Sequence, residues 1–335
     1  MRICSLAFTG ELLYDKKNSS RTKRDGCRNG DFRMENLIKA MSAAAGSECV
    51  FVQEEMKKHT TFRIGGPADV FVAPKTAGAA AKVVQICRES KTPFYIIGNG
   101  SNLLVSDRGY RGVVIQLFRN FSRIETEGNR IEAQAGAMLS AVAAKARDAR
   151  LSGFEFAAGI PGTLGGAMVM NAGAYGGELK DVLEEALILD HDGQIRWIPA
   201  EDMEFGYRRS AVAAKGWIAL GARLRLREGE PEEIRRRMEE LRAQRVSKQP
   251  LEYPSAGSTF KRPEGYFAGK LIMEAGLRGF SVGDAQVSEK HCGFVINKGN
   301  ATASEVKTLM QEVVRRVREN SGVTLEPEVK MLGEF

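Results

Sequence analysis

The sequence predicts an α+β protein built of several units, and three observations carry that reading. Residues 68–117 run strand–helix–strand. Residues 123–226 set two hairpin patterns and a long alternating strand around a Gly-rich stretch. After Pro231 come a charged helix, a short buried strand and a long amphipathic helix, a third unit of its own. A chain of 335 residues has the length of about two to three domains.

In order, residues 1–49 lack a sustained period. They are expected to form a poorly ordered basic leader, with one short helix at 34–45 and order beginning near Val50. Residues 59–67 (HTTFRIGGP) are rich in turn formers. Residues 68–73 (ADVFVA) are β-branched and apolar, a strand. Pro74-Lys75-Thr76 opens a helix to about Ser90, with Val83, Val84, Ile86 and Cys87 on its apolar face. Residues 93–97 form a strand that feeds Gly98-Asn99-Gly100-Ser101-Asn102, and 112–117 form another. Residues 123–127 and 130–134 alternate about Gly128-Asn129, a hairpin. An Ala-rich helix over 138–150 stops at Gly153. Residues 185–190 and 194–199 flank His191-Asp192-Gly193, a second hairpin, and 217–226 alternate as a long strand. Pro231 suits the first turn of a helix over 231–246. A further helix covers 267–275, and 294–297 is a buried strand. Thr302-x-x-Glu305 is a capping-box pattern that opens a helix to Asn320, whose Val306, Leu309, Met310, Val313, Val314 and Val317 keep near-helical spacing. Pro327 blocks a helix at 325–329 (LEPEV). That segment is expected to be extended, with Glu326 and Glu328 on one face.

Hydrophobic residues make up 43% of the chain, enough for a full core. No apolar run approaches the ~18 residues of a membrane span, so no transmembrane helix is expected. The apolar run at 3–8 is too short for a secretory signal. The net charge is +7, and more than half of it lies in residues 1–33, which hold eight Lys/Arg against four Asp/Glu. The basic balance therefore reflects a solvated tail in large part, and no nucleic-acid or membrane partner is expected. Met34 offers an alternative start. The five Cys are odd in number and show no C-x-x-C, which fits reduced thiols in the cytoplasm. The three His are scattered, and no metal site is expected.

The chemistry centres on residues 157–178 (AAGIPGTLGGAMVMNAGAYGGE), where seven of 22 residues are Gly. Glycine allows positive φ and lets a ligand approach the backbone closely. The stretch reads as a backbone cradle for an anion rather than a helix or a solvated linker. On these residues alone, a structural turn is the alternative. The spacing Gly159-x-x-Gly162-x-x-Gly165-Gly166 is neither a dinucleotide fingerprint nor a P-loop. Residues 98–102 make a second such turn directly after a strand, where successive N–H groups form an anion nest. Two turns of this kind suit a pyrophosphate. Downstream, Arg208 in Gly206-Tyr207-Arg208-Arg209-Ser210 offers a cation for a carboxylate or an enolate. Ser258 sits in a turn between small residues, without the G-x-S-x-G elbow of a serine hydrolase. Glu328 adds a carboxylate. Read singly, Arg208 is equally an ordinary ion pair and Glu328 a solvated acid.

HTTFRIGGPAD, IIGNGSNLL, AGIPGTLGGAMVMNAGAYG, FGYRRS, YPSAGSTFK and LEPEV occur in one order across residues 50–333. Together they resemble the UDP-N-acetylenolpyruvoylglucosamine reductase family, in its shorter form with YPSAGS. The resemblance implies an α+β fold with a two-part FAD-binding region of the vanillyl-alcohol-oxidase type, residues 50–118 and 119–230. A C-terminal α+β substrate domain would follow at 231–335. Non-covalent FAD would be held by Ile97, Gly98, Asn99, Gly100, Ser101, Asn102 and Leu103, and by Gly159, Ile160, Pro161, Gly162, Thr163, Gly166 and Asn171. NADPH would reduce the flavin, and flavin N5 would pass a hydride to the vinyl carbon of UDP-N-acetylglucosamine enolpyruvate. Ser258 would protonate the α-carbon, while Arg208 with Glu328 would stabilise the enolate-like charge. The product would be UDP-N-acetylmuramate, for peptidoglycan synthesis. Motif neighbourhood adds Tyr207, Lys248, Lys261 and Gln286 as substrate contacts; Arg262 stands where the family often has Asn. A cytoplasmic monomer is expected. A different FAD oxidoreductase of the same fold would explain the Gly-rich turns but not YPSAGSTFK and LEPEV. A flavin-binding sensor is the non-enzymatic alternative.

Overall fold

The computed structural model describes residues 25–335, with side chains from residue 33; the expectation for residues 1–24 lies outside the described residues. The first unit is a four-stranded sheet in the order Val50–Glu55, Pro67–Val72, Tyr110–Gln116, Phe94–Ile97. Its last three strands are mutually parallel. Parallel strands are covered on both faces, and the alternation shows how. Val70, Val72, Val113 and Ile115 face one core with the helix Ala77–Glu89, while Phe71 and Val114 face another. The Thr76 side chain caps that helix by accepting from the Ala79 amide.

The leader differs from expectation. A helix runs over Asp25–Ala45, and its Leu37 and Met41 are buried in the first core, with Met34 and Ile38 packed beside them. Met34, Leu37, Ile38 and Met41 keep helical spacing, so order begins well before Val50.

The second unit is a five-stranded antiparallel sheet in the order Ile195–Pro199, Leu183–Leu189, Ile218–Arg225, Arg130–Gln134, Ile124–Glu127. Both expected hairpins are present, with Glu127 opposite Arg130 and Leu189 opposite Ile195. Leu139–Asp148 covers one face, burying Val142 and Ala146 with Ile131, Ala186 and Leu224. The Gly-rich stretch is not free of helix: it contains the short helix Leu164–Met170, closed by Asn171 at φ 44°. The helix tolerates glycine because it lies almost on the neighbouring chain. A Cβ on Gly165 would sit 2.8 Å from Ala135 Cβ.

The helix Pro231–Lys248 packs on the second unit, against Leu139–Asp148 and Glu155–Ala157, and the third unit after it carries an antiparallel sheet in the order Ser255–Ser258, Phe294–Asn297, Ala285–Val287, Ser281–Val282. Ser258 ends a strand rather than lying in a turn. The helices Ala268–Glu274 and Ala303–Ser321 complete its core. The Thr302–Glu305 capping box forms as expected.

Several links lock this unit to the first. Asp107 accepts from the amides of Ala303 and Ser304 at 2.7 and 2.9 Å, capping the last helix from another unit. Phe62, Ile64 and Leu104 sit in the third unit's core. The final strand, Lys330–Leu332, pairs in parallel with Leu103–Val105.

Candidate active site

The three units meet around a cleft of about 840 Å³, within the usual size of a small-molecule site. The two Gly-rich turns form its floor and hold each other. Asn99 Nδ2 donates to the Pro161 carbonyl at 2.8 Å, and Gln116 Nε2 to the Gly98 carbonyl at 3.0 Å. A Cβ on Gly98 would lie 2.2 Å from Thr163 Oγ1, and one on Gly100 2.2 Å from the His59 carbonyl oxygen. Gly98, Gly100 and Gly165 are therefore small because protein packs against them. Gly162 and Gly166 line the cleft, and a Cβ on either would meet nothing closer than 3.7 Å. These two are small on the side of the cleft. The amides of Ser101, Asn102, Gly162 and Thr163 donate to no protein acceptor among the described residues, so the floor offers N–H groups to an anion.

Arg208, Ser258 and Glu328, far apart in sequence, all line this cleft. Arg208 Nε donates to Glu328 Oε1 at 2.8 Å, with side chains only 26% and 11% exposed. The bond occupies Nε and leaves both terminal nitrogens of the guanidinium for a guest. Arg208 adopts φ 53°, a conformation uncommon for a residue with a side chain. Glu328 is fixed through its backbone: its amide donates to the Thr259 carbonyl at 2.8 Å, and its own carbonyl accepts from Asn102 Nδ2 at 3.3 Å. Ser258 precedes Thr259, is exposed to the cleft, and its hydroxyl bonds to no protein group among the described residues.

Of the expected cofactor contacts, 97–103 and Ile160, Pro161, Gly162, Thr163 and Gly166 line the cleft, but Gly159 and Asn171 do not. Asn171 spends its amide inside the fold, donating to Glu178 Oε2 and the Gly206 carbonyl and accepting from the Lys180 amide. Gly159 lies under the Arg245 side chain, where a Cβ would meet Nε at 2.9 Å. Asn102 lines the cleft, yet its amide nitrogen serves Glu328 and Met170 Sδ.

Among the expected substrate contacts, only Lys248 is on the wall. Tyr207 stands outside, with its ring under the Arg208 guanidinium and its hydroxyl accepting from the Arg262 amide. Lys261 pairs with Glu326 at 3.0 Å, and Gln286 bonds to Gly279 and Ser281. Glu326 and Glu328 thus serve different partners. Residues 326–329 do not form a regular strand, so their spacing does not put them on one working face.

Sequence reasoning missed Arg63, Arg245, His291 and Lys330 on the wall. Arg245 and Lys248 sit one helical turn apart near the end of Pro231–Lys248, a spacing visible in the sequence. His291 Nδ1 accepts from the Gly293 amide at 3.1 Å, which fixes the neutral tautomer with its proton on Nε2. Burial lowers its pKa below the usual 6.5. No cluster of three metal-ligating side chains occurs among the described residues.

The residues fit the flavin dinucleotide that the motifs imply. The floor presents free amides where glycine leaves room, the wall carries cations without carboxylate partners, and the volume suits a large cofactor with part of a second ligand.

Comparison with known proteins agrees. Residues 68–199 match the family described as FAD binding domain. Residues 249–332 match UDP-N-acetylenolpyruvoylglucosamine reductase, C-terminal domain. The chain is 55% identical to the UDP-N-acetylenolpyruvoylglucosamine reductase of Agathobacter rectalis, over 90% of this chain and 99% of that one. It is 51% identical to that of Clostridioides difficile, over 89% and 97%. The crystal structure of the reductase from Thermus caldophilus superposes with a TM-score of 0.72 at 38% identity, covering 85% of this chain and 98% of that one. The chain is an FAD-dependent oxidoreductase, and it belongs to the UDP-N-acetylenolpyruvoylglucosamine reductase family.

Proposed function

We propose that the protein reduces UDP-N-acetylglucosamine enolpyruvate to UDP-N-acetylmuramate at the expense of NADPH, with Arg208, Glu328 and Ser258 as its catalytic residues. The observation that carries this reading is the Arg208–Glu328 pair, held beside Ser258 over a floor of free amides. FAD, when bound on that floor, supplies two-electron transfer from the nicotinamide to the vinyl carbon of the substrate.

The chain's residues then have separate tasks. The alkene accepts electrons only if the adjoining carboxylate takes up charge. The terminal nitrogens of Arg208 are oriented for that carboxylate because Glu328 holds Nε. Ser258 gives its proton to the α-carbon and recovers one from solvent, to which its hydroxyl is open. Lys248, on the cleft wall at the end of Pro231–Lys248, contacts the sugar nucleotide. Residues 97–103 and 160–163, with Gly166, bind the cofactor. No helix among the described residues is long and apolar enough to cross a membrane.

The test separates the half-reactions. Ser258→Ala is expected to keep bleaching of the bound flavin by NADPH within about twofold, and to slow reoxidation by the enolpyruvyl sugar by ~100-fold or more. Equal losses in both half-reactions would remove Ser258 as the proton donor. Wild-type protein whose reduced flavin is not reoxidised anaerobically by the sugar nucleotide would refute the assigned reaction.

A further inference from the structure

Arg245 is a cation without a counter-charge. Its guanidinium lines the cleft, its Nε is buried with no hydrogen-bond partner, and its protein partners among the described residues are neutral, Gln249 Oε1 at a long 3.4 Å and the Tyr175 hydroxyl. No carboxylate pairs with it among the described residues. Its nearest ring is Tyr175, 5.9 Å away. A buried charge left unpaired is costly, so a folded protein that keeps one on the wall of a cleft has a use for it.

Two further observations say which use. Lys248, three residues on, lines the same cleft and also forms no ion pair among the described residues, so one helix edge presents two free cations a turn apart. Cations in the last turn of a helix also complement its dipole, but that effect asks only for exposure at the helix end. It does not explain a guanidinium laid against backbone. Gly159 supplies that explanation: a Cβ there would approach Arg245 Nε to 2.9 Å and Cδ to 3.1 Å. The glycine makes the space through which the arginine reaches the cleft.

We propose that Arg245, admitted by Gly159 and assisted by Lys248, binds a diphosphate in the cleft, with Gly159 as a positioning residue. This rests on the reading of the cleft as a flavin and sugar-nucleotide site. Both ligands carry the same group, and the experiment tells them apart. Burial lowers the pKa of Arg245, offset in part by the Tyr175 hydroxyl; an arginine stays charged all the same.

The test uses full-length Arg245→Gln, Arg245→Lys and Gly159→Ala. FAD affinity is read by flavin fluorescence on protein stripped of flavin, and UDP affinity by calorimetry on both stripped and flavin-loaded protein. Loss of a charge-assisted contact corresponds to about a 10–100-fold weaker ligand. Arg245→Gln is expected to weaken one ligand by that factor and the other by less than threefold. A loss confined to FAD assigns the cofactor's diphosphate, and a loss confined to UDP assigns the substrate's. Arg245→Lys should fall between wild type and Arg245→Gln. Gly159→Ala should weaken the same ligand, and combining it with Arg245→Gln should add nothing further. The proposal is overturned if neither ligand moves more than threefold, or if Gly159→Ala and Arg245→Gln add independently. Wild-type protein that binds no FAD would instead defeat the function proposed above, while the UDP arm would still report on Arg245.

Discussion

Replacing Glu328 with Gln isolates the charge of that residue from its shape. The glutamine carbonyl can occupy the Oε1 position and still accept Arg208 Nε–H, now 2.8 Å away, so orientation is largely kept. What is lost is the charge assistance. The bond changes from ion–ion to ion–neutral, and the Coulomb attraction given up is on the order of 1–2 kcal/mol, between the ~1 kcal/mol of bulk water and the ~4 kcal/mol of a site near a protein surface. The pair is 26% and 11% exposed, so solvent does not screen this away. If Arg208 works on the charge that develops in the sugar half-reaction, the same ~1–2 kcal/mol slows that step about 5–30-fold. Binding of the substrate carboxylate should change little, because a ground-state carboxylate tolerates a less firmly held guanidinium better than the developing charge does. Anaerobic stopped-flow reads both halves: flavin bleaching by NADPH should stay within about twofold of wild type, and reoxidation by the enolpyruvyl sugar should fall at saturation without a rise in the half-saturating concentration. The reasoning fails if half-saturation rises and the limiting rate is unchanged, since Glu328 would then only support uniform binding. Equal slowing of both halves would also refute it.

The other expectations concern the floor and the rim of the cleft. Gly166→Ala adds a methyl to open space at the cleft inside a helix. It should hold or slightly raise the thermal midpoint of flavin-free protein, alanine being ~1 kcal/mol the better helix former, while weakening FAD about tenfold or more. Gly165→Ala should do the reverse in order of cause: its methyl would meet Ala135 Cβ at 2.8 Å and the Ala135 carbonyl at 3.2 Å, so the midpoint falls by several degrees, an overpacking cost of ~1–3 kcal/mol. Thermal melts with and without added FAD separate the two. His291 sets a pH dependence. Its folded pKa lies below the unfolded 6.5, so in that window the unfolded chain binds the proton more readily and stability falls as the pH is lowered. Urea midpoints at pH 7 and pH 5 should differ less in His291→Gln than in wild type; an identical difference would show that His291 does not titrate with unfolding.

Much of this was legible in the sequence, and the parts that were not share a cause. Strands that alternate against two cores, such as Pro67–Val72, and the capped helix Ala303–Ser321 follow from local period and local end signals. Arg208, Ser258 and Glu328 were found because their motifs travel together. What escaped depends on contacts between distant segments. The leader's apolar residues reveal their importance only against the helix Ala77–Glu89. Gly159 and Gly166 look alike in a Gly-rich run, yet one accommodates Arg245, 86 residues later, and the other faces the open cleft. Asn171 reads as one more polar group in a cradle, but as the left-handed end of a short helix it has its side chain fully engaged.

Asn102 shows what such contacts do for the chemistry. Its side chain holds the carbonyl of Glu328 and its own carbonyl accepts from the Lys330 amide at 3.0 Å, just where the final strand begins to pair with Leu103–Val105. The turn that offers free amides to the cleft is therefore the same turn that sets the height of the carboxylate aligning Arg208. An anion bound to the amides of Ser101 and Asn102 and a carboxylate bound to Arg208 are spaced by one short, doubly bonded piece of backbone. That arrangement fixes the spacing between the floor amides and Glu328 through two hydrogen bonds between the first and third units and the short backbone that carries them, the kind of rigid placement that a direct transfer between cofactor and substrate would demand. LEPEV and IIGNGSNLL carry no local sign of this pairing, which joins Asn102 to Glu328 across 226 positions of the chain.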